Sequence, residues 1–271
     1  MTAVDRWARA LAAWAIPAGI LAAAPESPYG FPAELFRTRG ERVGPKEVTP
    51  TTERALEALP EDGSVLDVGC GGGATSLPLA GRAGALIGVD AQEDMLEGFL
   101  ANARAAGVRA QAVRGRWPDA STDVGPADVA VAGHVLYDVG DLEPFIHALA
   151  QRARRGVVLE LTERHPLHWM NDLWLRFHDL ARPEGPSADD AREVIAELGF
   201  RPALQRWTAP SRAGGFDERA DAVALLRRRL CLAPDRDDEL EEALGARLQR
   251  REGLWSAGPT DQPLVTIWFD P

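Results

Sequence analysis

Cysteine is scarce in this chain: Cys70 and Cys231 are the two in 271 residues. Cys70 lies inside a glycine cluster, so a disulfide framework is not expected and a reducing compartment, the cytoplasm, fits best. Basic charge is also short, with 30 Lys and Arg against 41 Asp and Glu and a formal net charge of −11. Such a field repels phosphate backbones, which sets nucleic acid aside and leaves a small-molecule substrate. No apolar run reaches the roughly 20 residues that a bilayer span needs, so no membrane partner is expected. Arg6 and Arg9 before the apolar stretch 10–16 outline a secretory leader, but Asp5 and Pro17 interrupt it. Trp7, Ala10, Leu11 and Trp14 recur instead at the spacing of an amphipathic helix. Donors for a metal are few: His165, His168 and His178 share one window, Pro166 breaks their spacing, and no second cluster exists. No metal site is expected.

What is present is ordinary for a globular α/β chain with decorations: 45% hydrophobic and 26% charged residues. Its centre is the stretch from Val65 to Ser76. Val65, Leu66 and Val68 read as a buried strand, a glycine cluster follows, and Thr75 to Ala80 reads as a helix start. Glycine permits positive φ and close approach of a ligand, and free N–H groups at a helix start favour an anionic or polar group. Gly69-Cys70-Gly71-Gly72-Gly73-Ala74 fits the dinucleotide pattern G-x-G-x-x-G/A and also the D-x-G-x-G-x-G pattern of proteins that use S-adenosylmethionine. Asp67 favours the second, because a dinucleotide fold carries an apolar residue there; a carboxylate at that strand end orders the loop or accepts from an ammonium group. Asp90 closes the next apolar run, where a carboxylate takes both hydroxyls of a ribose.

The segments VLDVGCGGG, LIGVDAQEDML and AGHVLYDV, in this order over about residues 50–165, resemble the class I S-adenosylmethionine-dependent methyltransferases of small-molecule type. The resemblance implies an α/β fold: a Rossmann-like seven-stranded, mostly parallel sheet with an antiparallel C-terminal strand. It implies an N-terminal helical extension or lid over 1–50, then a methyltransferase domain over 51–271 with helical insertions at about 163–185 and 214–255. S-adenosylmethionine would be held by Asp67, Gly69, Gly71, Gly73, Asp90, Ala91, Met95, Arg116, Trp117 and Gly133. Where the family commonly has an acid facing the adenine amine, this chain has Arg116, so either Asp119 serves or Trp117 stacks on the ring. Trp117 as plain core remains an equal reading. The Asn/Asp-Pro-Pro-Tyr signature of amide and base methylation is absent. Methyl transfer by direct displacement to an O-, N- or C-nucleophile is implied, against an NAD(P)-dependent reductase or a non-catalytic S-adenosylmethionine-binding protein.

Periodicity and stop signals predict a helix from Thr51 to Leu59, strands at about 64–69, 85–90, 110–113, 128–132, 157–161, 202–208 and 264–269, and helices at 75–81, 93–106, 142–154 and 187–198. Residues 216–252 read as two charged helices split by Pro234. His134 follows the fourth strand, at the edge where ligands sit, and is read as a general base or as a packed structural residue; Tyr137 is the second catalytic candidate. Tyr29, Phe31 and Phe36 are candidate pocket aromatics, and Arg39, Arg42 and Lys46 could reach the methionyl carboxylate. His165, His168 and Trp169 are expected at the acceptor pocket with Trp174 and Phe177 as its wall, or else this helix is core. Arg227, Arg228 and Arg229 are expected to pair with the acidic stretch 235–242.

Overall fold

The computed structural model describes residues 1–29, 48–210, 215–251 and 253–271. Seven strands form one sheet: β1 (Gly63–Val68), β2 (Ala83–Asp90), β3 (Arg109–Arg114), β4 (Ala127–Gly133), β5 (Ala153–Thr162), β6 (Ala203–Pro210) and β9 (Asp261–Phe269). Their order is β3-β2-β1-β4-β5-β9-β6. The first five pair in parallel, and β9 runs antiparallel between β5 and β6. This is the Rossmann-like sheet with an antiparallel C-terminal strand that the sequence implies. Val129, Ala130, Val131 and Ala132 of β4 are fully buried in succession, as a strand covered on both faces must be.

Helices α1 (Ala3–Ala12), α5 (Leu142–Arg152) and α7 (Ala188–Glu197) cover one face, and Trp7, Phe145, Ile146 and Ile195 enter the same core as Leu66 and Leu159. Helices α3 (Pro50–Ala58) and α4 (Glu93–Ala105) cover the other, with Ala55, Leu59 and Phe99 against Val65, Val131 and Val158. Caps set these boundaries. Thr2 and Ser187 form capping boxes with Asp5 and Asp190, and Gly107 (φ 73°) lets the chain turn out of α4.

Two expectations need correction. The helix foreseen at 75–81 is a single 3₁₀ turn, Leu77–Leu79. A helix that long, rising about 1.5 Å per residue, covers about half of the roughly 20 Å that strand β1 spans. The connection must therefore stay more extended, since β2 already begins at Ala83. The insertion over about 214–255 is not all helical: after α8 (Arg219–Arg229) and α9 (Asp237–Leu244) comes a hairpin of β7 (Leu248–Arg251) and β8 (Leu254–Ala257).

That insertion, α2 (Ala18–Ala23) and α6 (Asn171–His178) share a third hydrophobic core, built on Leu173, Trp174, Phe216, Leu226, Leu240 and Leu244 with Ile20 packed against it. Two of the segments that form it leave the sheet at the carboxyl ends of β5 and β6. The cap therefore lies toward the carboxyl end of the sheet, the end at which β1, β2 and β4 also finish.

Candidate functional site

At the end of β1 the chain folds back on itself. The Gly69 and Cys70 amides donate to the Val89 carbonyl at 2.8 and 3.1 Å, and the Gly73 amide to Cys70 at 2.7 Å. Gly69, Gly71 and Gly73 all have positive φ, 68°, 49° and 86°, a region costly to residues with a Cβ. The loop is braced from below. Ser76 Oγ donates to Asp67 at 2.5 Å, both residues being buried, and the Asn102 amide donates to the Gly72 carbonyl at 2.9 Å. It is also wedged against the end of β4: a Cβ on Gly69 would lie 2.4 Å from Val135 Cγ2, and one on Gly133 2.2 Å from Thr75 Oγ1. A Cβ on Gly71 would meet nothing within 4 Å. The loop is thus packed on one side and open at Gly71.

Asp90 stands beside that opening. One oxygen accepts from the Gly71 amide and the other from the Gln92 amide, each at 3.0 Å. A carboxylate has about four acceptor positions, so two hydroxyls of a ribose can still be taken. An open cradle over Gly71 flanked by this carboxylate fits an adenosyl ligand. Ala91 is exposed and Met95 half-buried at the start of α4, on the same flank. Cys70 is buried, and burial with the charges of Asp67 and Asp90 pushes its thiol far up, away from thiolate chemistry.

Beyond β3, Arg116 and Asp119 are exposed. Trp117 is half-buried, packs on the first core, and donates its ring N–H to the Phe145 carbonyl at 3.1 Å. The ring is therefore anchored through its nitrogen and half-buried against the first core.

His134, one residue past β4, is a non-glycine residue at φ 60°. Its amide donates to the Glu160 carbonyl at 2.7 Å, and Nε2 lies 3.2 Å from Glu160 Oε1. The His134 side chain is 39% exposed and that of Glu160 17%, so the pair faces outward from a shielded carboxylate. Tyr137 is placed differently. It is buried, its hydroxyl donates to the Thr162 carbonyl at 2.8 Å, and burial drives its acidity down. The fold uses it as an anchor stacked on Trp7, at 5.7 Å between rings, which leaves it no geometry for proton removal.

The residues expected around the acceptor disperse. His165 stacks on Trp14 at 3.8 Å between ring centres and meets the edge of Tyr137 at 5.4 Å. Burial, helped by Arg182 and His168, lowers its pKa to about 4, so it is neutral near pH 7. His168 sits in a surface cluster with Glu184 at 2.9 Å and Arg164 at 3.2 Å. His178 Nε2 lies 2.6 Å from the Leu230 carbonyl. Trp169 packs against the third core under the Arg247 guanidinium, and Trp174 and Phe177 pack there too. Tyr29 is exposed. Phe31, Phe36, Arg39, Arg42 and Lys46 lie outside the described residues. Of the arginine triplet, Arg227 pairs with Asp237 at 3.0 Å and Glu26 at 3.3 Å, whereas Arg228 and Arg229 donate to the Tyr29 and Pro28 carbonyls. The triplet therefore clamps the N-terminal extension as well as α9.

Sequence reasoning missed Glu160. Its signal was a lone carboxylate within Val157-Val158-Leu159-Glu160-Leu161, an interior strand of a buried sheet. Trp14 and Arg182 were also missed as a joint: the Trp14 N–H donates to the Gly185 carbonyl at 2.6 Å, and the Arg182 guanidinium lies between the Trp14 and Trp174 rings.

Comparison with known proteins points one way. Residues 65–156 match the sequence model of a family described as a methyltransferase domain. The chain is 26% identical over 225 residues to the ubiquinone biosynthesis O-methyltransferase of Rhizobium rhizogenes (strain K84), covering 75% of this chain and 88% of the relative. It is 32% identical over 106 residues to an uncharacterized protein of Haemophilus influenzae, 38% of this chain and 39% of that protein. Among solved structures, the YcgJ protein of Bacillus subtilis shares the fold at a TM-score of 0.53 and 16% identity, over 81% of this chain and 97% of its own. So does the magnesium protoporphyrin IX methyltransferase of Synechocystis PCC 6803, crystallised with S-adenosylhomocysteine, at a TM-score of 0.50 and 15% identity over 90% and 91%.

Proposed function

Because this chain is a class I S-adenosylmethionine-dependent methyltransferase, we propose that its acceptor is a small molecule, that the methylated atom is a hydroxyl oxygen, and that His134 removes the proton. The observation that carries this reading is the His134–Glu160 pair at 3.2 Å, one residue past the strand against which the glycine loop is wedged. A hydroxyl needs a base near neutral pH, and histidine is the side chain suited to that proton exchange. The curated relatives named as O-methyltransferases support an oxygen acceptor. The net charge of −11 and a cap toward the carboxyl end of the sheet support a small acceptor rather than a nucleic acid.

When bound, S-adenosylmethionine supplies a methyl group already activated on a sulfonium. The protein's tasks are to hold, align and keep dry. Asp90 takes the ribose hydroxyls, and the Gly69–Gly73 turn lets its backbone approach the ligand, with Gly71 open above it. Asp67 acts through Ser76, keeping the turn in shape. Met95, Ala91, Arg116, Trp117 and Gly133 border the same cradle. Trp7 and Trp14 pin the described part of the N-terminal extension to the body of the protein, and the cap lines the acceptor side.

The test is release of S-adenosylhomocysteine across a panel of phenols, catechols, amines and thiols. Methylation of hydroxyls is expected, with His134→Ala lowering kcat by about 10²-fold or more while the Kd for S-adenosylhomocysteine stays within about twofold. Turnover confined to amines or thiols, or full activity in the variant, would overturn it.

A further inference from the structure

We propose that Glu160 is a positioning residue that fixes the tautomer of His134: the proton stays on Nε2, facing Glu160, and Nδ1 is the atom that receives the acceptor's proton. This rests on the reading of His134 as the base. Two contacts from one residue carry the argument. Glu160 holds the His134 backbone through its carbonyl at 2.7 Å and the ring through Oε1 at 3.2 Å from Nε2. A carboxylate 3.2 Å from a ring nitrogen favours a proton on that nitrogen, which leaves the lone pair on the other one.

The backbone geometry supports a purposeful placement. His134 sits at φ 60°, where a residue with a Cβ costs about 1–3 kcal/mol unless its surroundings impose it. What imposes it is in view: the preceding Gly133 lies against Thr75 and pairs with Glu160 across β4 and β5, and Val135 fills the space beside Gly69. The same loop that cradles the cofactor thus sets the angle at which the imidazole leaves the strand. Glu160 is itself held in register, opposite Thr266 of β9, whose hydroxyl is bonded by Thr51 at 2.7 Å and by the Trp207 ring N–H at 3.1 Å.

In the step so assigned, His134 Nδ1 takes the hydroxyl proton while the acceptor oxygen's electron pair forms the new C–O bond. The C–S pair leaves with sulfur as a neutral thioether, and the imidazolium, stabilised by the Glu160 carboxylate, returns its proton to water. Glu160 of β5 pairs with the imidazole; of the other carboxylates at this end of the sheet, Asp67 of β1 is engaged by Ser76, and Asp138, in the turn after His134, has its pKa raised by desolvation. Among the described residues Glu160 is the carboxylate paired with the ring.

The experiment compares Glu160→Gln, Glu160→Asp and His134→Ala in the full chain, with a hydroxyl acceptor found by the panel. Glu160→Gln is expected to lower kcat about tenfold or more, to leave KM for the acceptor and the Kd for S-adenosylhomocysteine within about twofold, and to move the acidic limb of the kcat–pH profile downward. Glu160→Asp is expected to recover part of kcat. Nitrogen-15 spectra of the ring should show the Nε2-protonated form in the wild type and a mixture in Glu160→Gln. If His134→Ala is inactive while Glu160→Gln keeps wild-type kcat, pH limb and ring tautomer, the positioning role is refuted and the base survives. If His134→Ala is fully active, the base reading itself falls.

Discussion

Two glycines two residues apart should fail in opposite ways when each gains one methyl group. Gly69→Ala places a Cβ 2.4 Å from Val135 Cγ2 at φ 68°. Left-handed backbone costs an L-residue about 1–2 kcal/mol, and forcing a methyl into packed surroundings about 1–3 more. The expected loss of folding stability is therefore about 2–5 kcal/mol. Gly71→Ala, at φ 49° with nothing within 4 Å of its Cβ, carries the first cost alone, about 1–2 kcal/mol. Its methyl instead enters the space over the loop where the cofactor must approach the backbone. The Kd for S-adenosylhomocysteine should rise about tenfold or more, equivalent to about 1.4 kcal/mol. Urea denaturation measures the first quantity and calorimetric titration the second, on both variants. A folded Gly71→Ala protein that binds the product as tightly as wild type would refute the placement of the cradle, and a Gly69→Ala protein as stable as Gly71→Ala would refute the packing argument.

Trp7→Ala removes a fully buried indole whose N–H donates to the Val139 carbonyl at 2.8 Å, for an expected loss of about 3–5 kcal/mol in urea denaturation. Trp7→Phe should lose less, and a loss below about 1 kcal/mol for Trp7→Ala would mean that α1 is not part of the fold's core. His165, whose pKa falls from 6.5 unfolded to about 4 in the stack with Trp14, makes stability depend on pH. Between those values the unfolded chain takes up a proton that the folded one refuses, so stability is full above pH 6.5 and drains as pH falls toward 4. Partial solvation of the ring reduces the effect to about 1–2 kcal/mol. His165→Phe should lose correspondingly less between pH 7.5 and pH 4.5, and equal losses in the two proteins would disprove it.

The parts of the candidate site legible in the sequence are those with local causes. Glycine at three positions of one turn, Asp67 at one strand end and Asp90 at the next are dictated by backbone conformation and by what a strand tip can present. The strands were readable for the same reason: β4 is buried on both faces and carries four small apolar residues in a row. What stayed hidden depends on partners distant in sequence. Tyr137 reads as a catalytic hydroxyl until it is seen to donate a hydrogen bond to the Thr162 carbonyl, and Glu160 reads as a strand residue until His134 is seen beside it. The helix expected after the glycine loop failed on length, since its residues suit a helix but the span to β2 does not. The hairpin within the cap was hidden by charge, because Arg250 and Arg251 lie among helix-like neighbours, while β7 pairs with β8 from Leu248–Ala257 to Arg251–Leu254.

Among the described residues strand β6 pairs with the sheet through β9, and β9 lies between it and β5. During synthesis at a ribosome, more than two hundred and fifty residues emerge before that wedge exists. Until it does, β5 presents an open edge carrying Val157, Leu159 and Leu161, a template for pairing with other chains. Ribosome-bound fragments ending before residue 261 are the species a chaperone would have to shield.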